Sequence, residues 1–326
     1  RSNLKRGSFL RKAIMAPNNY QLIVADLSQI EPRVLAWLSD YEDMLDIFRA
    51  KGDPYAQFGA RMFNVPGLTK ESHPELRQSA KSALLGCGYQ LGWSSFAAQL
   101  LTGFLGAPPV RYDKTIAKKL GVDGAYVQRF IDREDNLVRL GNIPHTCSKK
   151  ELIEHCIAAK KIIDMYRETA HPVTSFWELC ASLIERSLAD GEEYTHKCLT
   201  FRKEEIVLPN GMPIRYPNLR QEKTADGGRS WVYGPDATKL YAGKITNNVV
   251  QGTARVVMTD GMLRIAKRYP VVGTVHDECI AVAPDFEAQA AFEWMLEQMT
   301  LEPSYMPEIP LAADGGVHLR YGMAKQ

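Results

Sequence analysis

The six cysteines of this 326-residue sequence form no CxxC pair. No apolar run approaches the ~18 residues of a membrane span. The start carries no signal-peptide pattern, and internal repeats and long low-complexity tracts are missing too. These absences argue against a disulfide scaffold, a helical membrane protein and a solenoid. Net charge is scarce as well, at +2, so charge balance alone does not announce nucleic acid. The thiols are scattered at Cys87, Cys147, Cys156, Cys180, Cys198 and Cys279. They suit a reducing compartment, and the expected location is the cytoplasm, with no membrane partner. His145, Cys147, His155 and Cys156 lie near one another in sequence, but their spacing matches no common zinc module.

What is present is an ordinary soluble composition, 45% hydrophobic and 24% charged. The chain is long enough for a sizeable core and two lobes. The opening run RSNLKRGSFLRK is basic and reads as a solvated tail rather than a phosphate-contacting arm. YQLIVADLS predicts a buried strand with Asp26 at its end. In IEPRVLAWLSD, Pro32 fits a first helical turn, and Ile30, Val34, Leu35 and Leu38 recur at helical spacing. Residues 74–101 predict one long helix with glycines in its second half. Residues 103–150, rich in Gly, Pro and charge, predict an inserted subdomain. Helix resumes after it, with an interruption near His171-Pro172. EEIVLPNGMPIRYPNL predicts a hairpin turning at Asn210-Gly211. ITNNVVQGTARVVMTDGMLRIAKRY predicts a helix, VGTVHDECIAV a buried strand, residues 284–296 a helix, and the last residues irregular structure.

Within VGTVHDECIAV, Asp277 and Glu278 are adjacent acids in an apolar strand, which is costly unless something cationic meets them. A long helical stretch separates Asp26 from Asp277, so the two acid-bearing strands are expected to meet in one sheet. Together the two aspartates could hold two divalent cations ~3.5–4 Å apart, an arrangement suited to in-line phosphoryl transfer; the other reading is that His276-Asp277-Glu278 is a turn with an ordinary solvated acid pair. Mg²⁺ suits an all-oxygen site completed by substrate phosphates and water. In RQSAKSALLGCGY, Arg77, Lys81, Leu85 and Tyr89 recur every four residues and drift slowly around one helix face. The face is either a solvated charged face beside core residues or one that offers two cations for a triphosphate and apolar or flat groups for a sugar or base. Gly86 and Gly88 remove side chains where another body could approach.

Three stretches in this order resemble family A DNA polymerases of the bacterial DNA polymerase I type. VADLSQIEPR resembles the first acidic motif, RQSAKSALLGCGY the fingers-helix motif R-x-x-x-K-x-x-x-[FY]-G-x-x-Y, and VHDE the third motif. LRKAIMAP and NNVVQGTA match as flanks. The resemblance covers nearly the whole chain except residues about 103–158. It implies an α+β fold, with a palm built on a small antiparallel sheet and a mostly helical fingers subdomain. The palm would comprise 1–45 and 243–326, and the fingers 46–242 with the insertion at about 103–158. It implies a template-directed DNA polymerase core that adds dNTPs to a primer 3′-OH, with Mg²⁺ as cofactor and Mn²⁺ as a substitute. Partners would be primer-template DNA and dNTPs, inside a bacterial or phage-infected cell or an organelle.

Roles follow residue by residue. Asp26 and Asp277 would ligate both metals, with the Leu27 carbonyl helping and Glu278 beside them. Arg77 and Lys81 would bind the β- and γ-phosphates, and Lys81 would protonate the departing pyrophosphate. Glu31 would block a ribose 2′-OH, with Tyr89 hydrogen-bonded to it near the templating position. Gln29, Arg33, Asn247 and Gln251 would touch the primer or template, and His276 the primer terminus.

Several positions depart from the family pattern. Leu85 replaces the usual aromatic that packs on the nucleotide sugar. Gln90 stands where the family commonly has Gly, Leu27 where it has Tyr, and Pro32 where it has Leu. Tyr55 stands where many relatives place a phosphate-binding His, and a phenol donates one hydrogen bond without charge. Neither a thumb nor an exonuclease domain is recognisable, so the chain is expected to grip duplex DNA poorly. A fragment, or a second polypeptide supplying a thumb or processivity, would account for that. Lys149, Lys150, Lys160 and Lys161 read as solvated decoration rather than as a DNA or partner contact. The competing readings are a split or degenerate module that only binds DNA or a partner chain, and a single-subunit RNA polymerase relative. Glu31 argues against the second of these.

Overall fold

The structure, a computed structural model, describes residues 10–103, 108–224 and 227–324. Arg1, Lys5 and Arg6 of the basic run, and Gly106 and Ala107 of the insertion, lie outside the described residues. The chain begins with strand β1 (Tyr20–Leu27) and helices α1 (Ile30–Leu38), α2 (Glu42–Arg49), α3 (Pro54–Phe63), α4 (Pro74–Cys87) and α5 (Trp93–Thr102). Short helices α6 (Lys114–Lys119), α7 (Gly124–Ile131) and α8 (Glu134–Gly141) precede the long α9 (Lys149–Thr169) and α10 (His171–Asp190). Strands β2 (Tyr194–His196), β3 (Leu199–Arg202), β4 (Glu205–Val207) and β5 (Pro213–Arg215) form one antiparallel sheet. Strands β6 (Arg220–Lys223), β7 (Arg229–Tyr233) and β8 (Thr238–Leu240) form another. Helix α11 (Ala242–Ile265), hairpin β9 (Val271–Val275) and β10 (Glu278–Pro284), helix α12 (Ala288–Thr300) and strand β11 (Ala313–His318) complete the chain. The fold is α+β.

The sheet that matters for function has the order β11-β1-β10-β9, with β1 antiparallel to both β10 and β11. Strand alternation divides its residues between two faces. Ile23, Ala25 and Leu27 join the large core, as do Cys279, Ala281 and Ala283 from β10. Helix α12 covers that face with Ala291, Met295 and Met299. Leu22 and Val24 point the other way and pack with Ile280, Ala16, Tyr321 and Ala324 in a small second cluster. Asp26 and Glu278 continue this second face at the strand ends, because positions i, i+2 and i+4 of a strand share a side.

Two long-range expectations need correction at this level. The stretch around Asp277 is a hairpin, not one strand, because Val275 pairs with Glu278 across a two-residue turn. The irregular tail contains β11, which reads as a loop in sequence because of Asp314-Gly315-Gly316. A Cβ on Gly315 would lie 1.9 Å from the Val24 carbonyl oxygen, so glycine is what lets this strand lie against β1.

The helical region differs in one respect. The expected single helix over 74–101 breaks after Cys87, with Gln90 at a φ of 64°. Gly86 and Gly88 admit parts of the protein itself: added Cβ atoms would meet Leu91 at 2.5 Å and Leu35 at 2.9 Å. Helix α4 lies between α3 and α9, and α10 packs on α11. The insertion is helical and shares the main core. Phe130 of α7 meets Trp93 edge-on at 5.1 Å. The β4–β5 hairpin turns at Asn210-Gly211, with Gly211 at a φ of 82°. Among the described residues, no helix is long and apolar enough to cross a membrane.

Candidate active site

Asp26 and Glu278 are register partners across β1 and β10, and the Leu27 amide donates to the Asp277 carbonyl at 3.2 Å. Directly opposed residues in such a ladder have Cα atoms ~4.5–5.5 Å apart. Three acids thus meet at one end of the sheet, two on the strands and one on the turn between β9 and β10. Asp26 Oδ1 is buried, and Glu278 is also buried. The Tyr321 hydroxyl donates to Glu278 Oε2. Burial first, and then this carboxylate, push the Tyr321 pKa up to about 12, so the phenol stays a donor.

His276 and Asp277 form the turn itself. Two-residue hairpins need a positive φ at the first turn position, and His276 takes a φ of 53° there. A positive φ is uncommon for a residue with a side chain. Arg255 of α11 donates to the His276 carbonyl at 3.0 Å and ties down the turn that carries Asp277.

A cleft of ≈ 840 Å³ opens beside this turn. The β1–α1 junction supplies Gln29 and Glu31, α3 supplies Tyr55, and α4 supplies Lys81 and Leu85, with Tyr89 just beyond it. Asn247 and Gln251 of α11 face His276 and Asp277 across the same space. The Tyr89 hydroxyl donates to Glu31 Oε2 at 3.3 Å. Burial, reinforced by Glu31, raises the Tyr89 pKa well above its ordinary value. Gly243 lets α11 start against the Tyr89–Gln90 backbone, since a Cβ there would lie 2.4 Å from the Tyr89 carbonyl oxygen. Gln90 accepts from the Gly243 amide at 3.0 Å.

Not every expected residue reaches the cleft. Asp26 and Leu27 of β1 and Glu278 of β10 are not among the residues that line it. Arg77 is held at its Nε by Asp53 Oδ2. Arg33 is a clear exception. It is buried, its Nε donates to the Ser28 carbonyl at 2.8 Å, and a terminal nitrogen donates to the Pro310 carbonyl. Its guanidinium also stacks on Phe48 at 4.2 Å. Burial lowers its pKa to about 10, so it remains a cation used internally. In this arrangement Arg33 buttresses the β1–α1 junction and does not face the cleft.

Other side chains prove to be engaged within the protein. His155 accepts from the Tyr112 amide at 2.9 Å through Nδ1, and its Nε2 lies 3.0 Å from the Ala97 carbonyl oxygen. Lys160 pairs with Asp164 at 2.7 Å and, with Lys161, flanks the Tyr126 ring.

Three residues at the site have no assigned place in the motifs. Arg255 was within reach of sequence reasoning, because it stands four residues after Gln251 on one helix face. Asp53 before Pro54 carries a helix-cap signature, but nothing marks its second oxygen as the partner of Arg77. Tyr321 carries no local signal and reaches Glu278 only through the β11 pairing.

The sequence profile of DNA polymerase family A matches residues 2–121. A DNA polymerase of Bacillus phage SP02 is 27% identical over 94% of this chain and 42% of its own length. A thermostable DNA polymerase I of Thermus thermophilus is 33% identical over 95% of this chain and 28% of its own. This chain therefore spans less than half of either relative. Among solved structures, the polymerase domain of Pol1 from M. smegmatis, in complex with DNA primer-template and dNTP, superposes with a TM-score of 0.57. That match has 19% identity and covers 98% of this chain and 43% of that one, which establishes a shared fold. The start of the chain thus matches DNA polymerase family A, and nearly its whole length is similar to bacterial and phage DNA polymerases.

Proposed function

We propose that this chain is the palm-and-fingers core of a template-directed DNA polymerase, which extends a primer 3′-OH with dNTPs. The observation that carries the reading is the single cleft where side chains from all three motifs converge: Glu31, Lys81, Tyr89 and Asp277. The sheet with β1, β10 and α11 corresponds to the palm, and residues 46–242 to the fingers.

The donor set fits Mg²⁺. Asp26 and Asp277 offer only carboxylate oxygen, with Glu278 adjacent. Among the described residues no group of three or more His, Cys, Asp or Glu is placed to hold a metal ion. Mg²⁺ would keep its waters there and take further ligands from substrate phosphates. When bound, a pair of such ions lowers the pKa of the primer hydroxyl and stabilises charge on the leaving pyrophosphate.

The chain's own residues supply position and electrostatics. The primer oxygen forms a bond to the α-phosphorus, and the bond to pyrophosphate breaks. Lys81, on the cleft wall, would donate a proton to the leaving oxygen. Arg77, one helical turn earlier and outside the cleft lining, would add a guanidinium for the terminal phosphates. Glu31, fixed by Tyr89, fills the space that a ribose 2′-OH would need. Leu85 offers the sugar an apolar wall. Asn247 and Gln251 offer amides to base edges, where hydrogen bonds can sense pair shape.

Primer extension on a primed template with Mg²⁺ tests the reading, comparing dNTPs with rNTPs. Extension with dNTPs that Asp277→Asn abolishes supports it. Equal use of both nucleotide classes removes the gate assigned to Glu31. No extension by the chain, alone or with a thumb-bearing partner, favours a module that only binds.

A further inference from the structure

The corner formed by Asp53, Pro54 and Tyr55 at the start of α3 belongs to none of the three motifs, yet it holds Arg77, to which the polymerase reading gives a phosphate role. Asp53 Oδ1 accepts from the Tyr55 amide at 3.0 Å and the Ala56 amide at 3.2 Å, capping the helix. Its other oxygen, Oδ2, takes the Nε of Arg77. The carboxylate is thus fixed from both sides, and the cap geometry sets where Arg77 lies. The contact engages Nε. The two terminal nitrogens, with four of the five N–H donors of a guanidinium, take no part in this pair. The buried Tyr55 ring completes the corner, 5.4 Å from the Arg77 guanidinium carbon and 5.7 Å from the Lys81 nitrogen. One short segment therefore orients both cations of α4.

We propose that Asp53 is a positioning residue for triphosphate recognition: it anchors Arg77 through Nε and leaves the terminal nitrogens to a nucleoside triphosphate. A guanidinium has more than one usable edge, so a carboxylate on Nε and a phosphate on the outer nitrogens can be served together. The inference rests on the polymerase reading, which gives Arg77 its phosphate role.

The test uses the whole chain, with Mg²⁺ and a methylanthraniloyl-labelled dATP as the fluorescent probe. Asn caps a helix about as well as Asp, so Asp53→Asn melts with the wild type while losing the ion pair. The expected result is a Kd for the probe raised about tenfold in Asp53→Asn, the scale of one lost charge-assisted contact. Arg77→Ala should weaken binding at least as much. The double variant should bind no worse than Arg77→Ala alone, because Asp53 acts through that arginine. Unlabelled dAMP, lacking the outer phosphates, should compete equally well in wild type and Asp53→Asn. If Asp53→Asn binds the triphosphate as tightly as wild type, or more tightly, while Arg77→Ala loses it, positioning by Asp53 is overturned and the polymerase reading stands. If Arg77→Ala itself binds like wild type, the phosphate role of Arg77 fails and the proposal falls with it.

Discussion

The hydroxyl of Tyr89 donates to Glu31 at 3.3 Å, joining the end of the α4 segment to the first turn of α1 across the cleft. The bond fixes a carboxylate that would otherwise sample several rotamers. Glu31→Ala should therefore open the space beside the sugar and lower the preference for dNTPs over rNTPs by at least about tenfold. Tyr89→Phe leaves the carboxylate in place but untied, so its loss of preference should be smaller. Single-nucleotide extension with matched dNTP and rNTP pairs measures both, and an unchanged ratio in Glu31→Ala would refute the gate.

Asp26→Asn and Asp277→Asn each remove one charge from the acid cluster at nearly constant volume. Either change should reduce nucleotide addition by about a thousandfold or more, as removal of an electrostatic group from such a site does. Circular dichroism and thermal melting should stay near wild type, because neither side chain belongs to the packed core. Substantial remaining extension by either variant would count against paired cations at this site.

Lys81→Ala removes an ammonium from the cleft wall. General-acid groups contribute on the order of 10²–10⁴ in rate, so single-turnover extension should slow by that order, with weaker dNTP binding as well. Wild-type kinetics from this variant would reassign the proton donor.

His155 gives a prediction in pH. Burial lowers its pKa from the ordinary 6.5, and its Nδ1 accepts from the Tyr112 amide, which requires that nitrogen to be unprotonated. The unfolded chain binds the proton more readily than the folded one. The stabilisation is therefore complete above about pH 6.5 and is lost as pH falls below that value. His155→Gln should be destabilised at pH 7.5 by about 1–3 kcal/mol, for one buried amide left without its acceptor. Its melting temperature should fall less than that of the wild type between pH 7.5 and pH 5.5. Parallel melting curves for the two proteins would show that another group titrates.

Local chemistry alone settled much of this protein. A short apolar run ending in Asp26 made β1 a strand, Pro32 and the spacing of Val34, Leu35 and Leu38 made α1 a helix, and Asn210-Gly211 made a hairpin. The motif resemblance singled out Lys81, Tyr89, Glu31 and Asp277, and the fold brings these distant segments around one cleft. The break after Cys87 was not legible, since Gly86 and Gly88 are open to any neighbour and only packing showed Leu91 and Leu35 to be those neighbours. The motif resemblance gave Arg33 a primer or template contact. Its two carbonyl acceptors, Ser28 and Pro310, lie five residues and 277 residues away, and only the fold brings the second one near. The pairing of Asp26 with Glu278, the reach of Tyr321 to that acid and the hold of Asp53 on Arg77 belong to the same class. Each depends on register or packing between distant segments, which is set by the free energy of the whole core and not by any single stretch of chain.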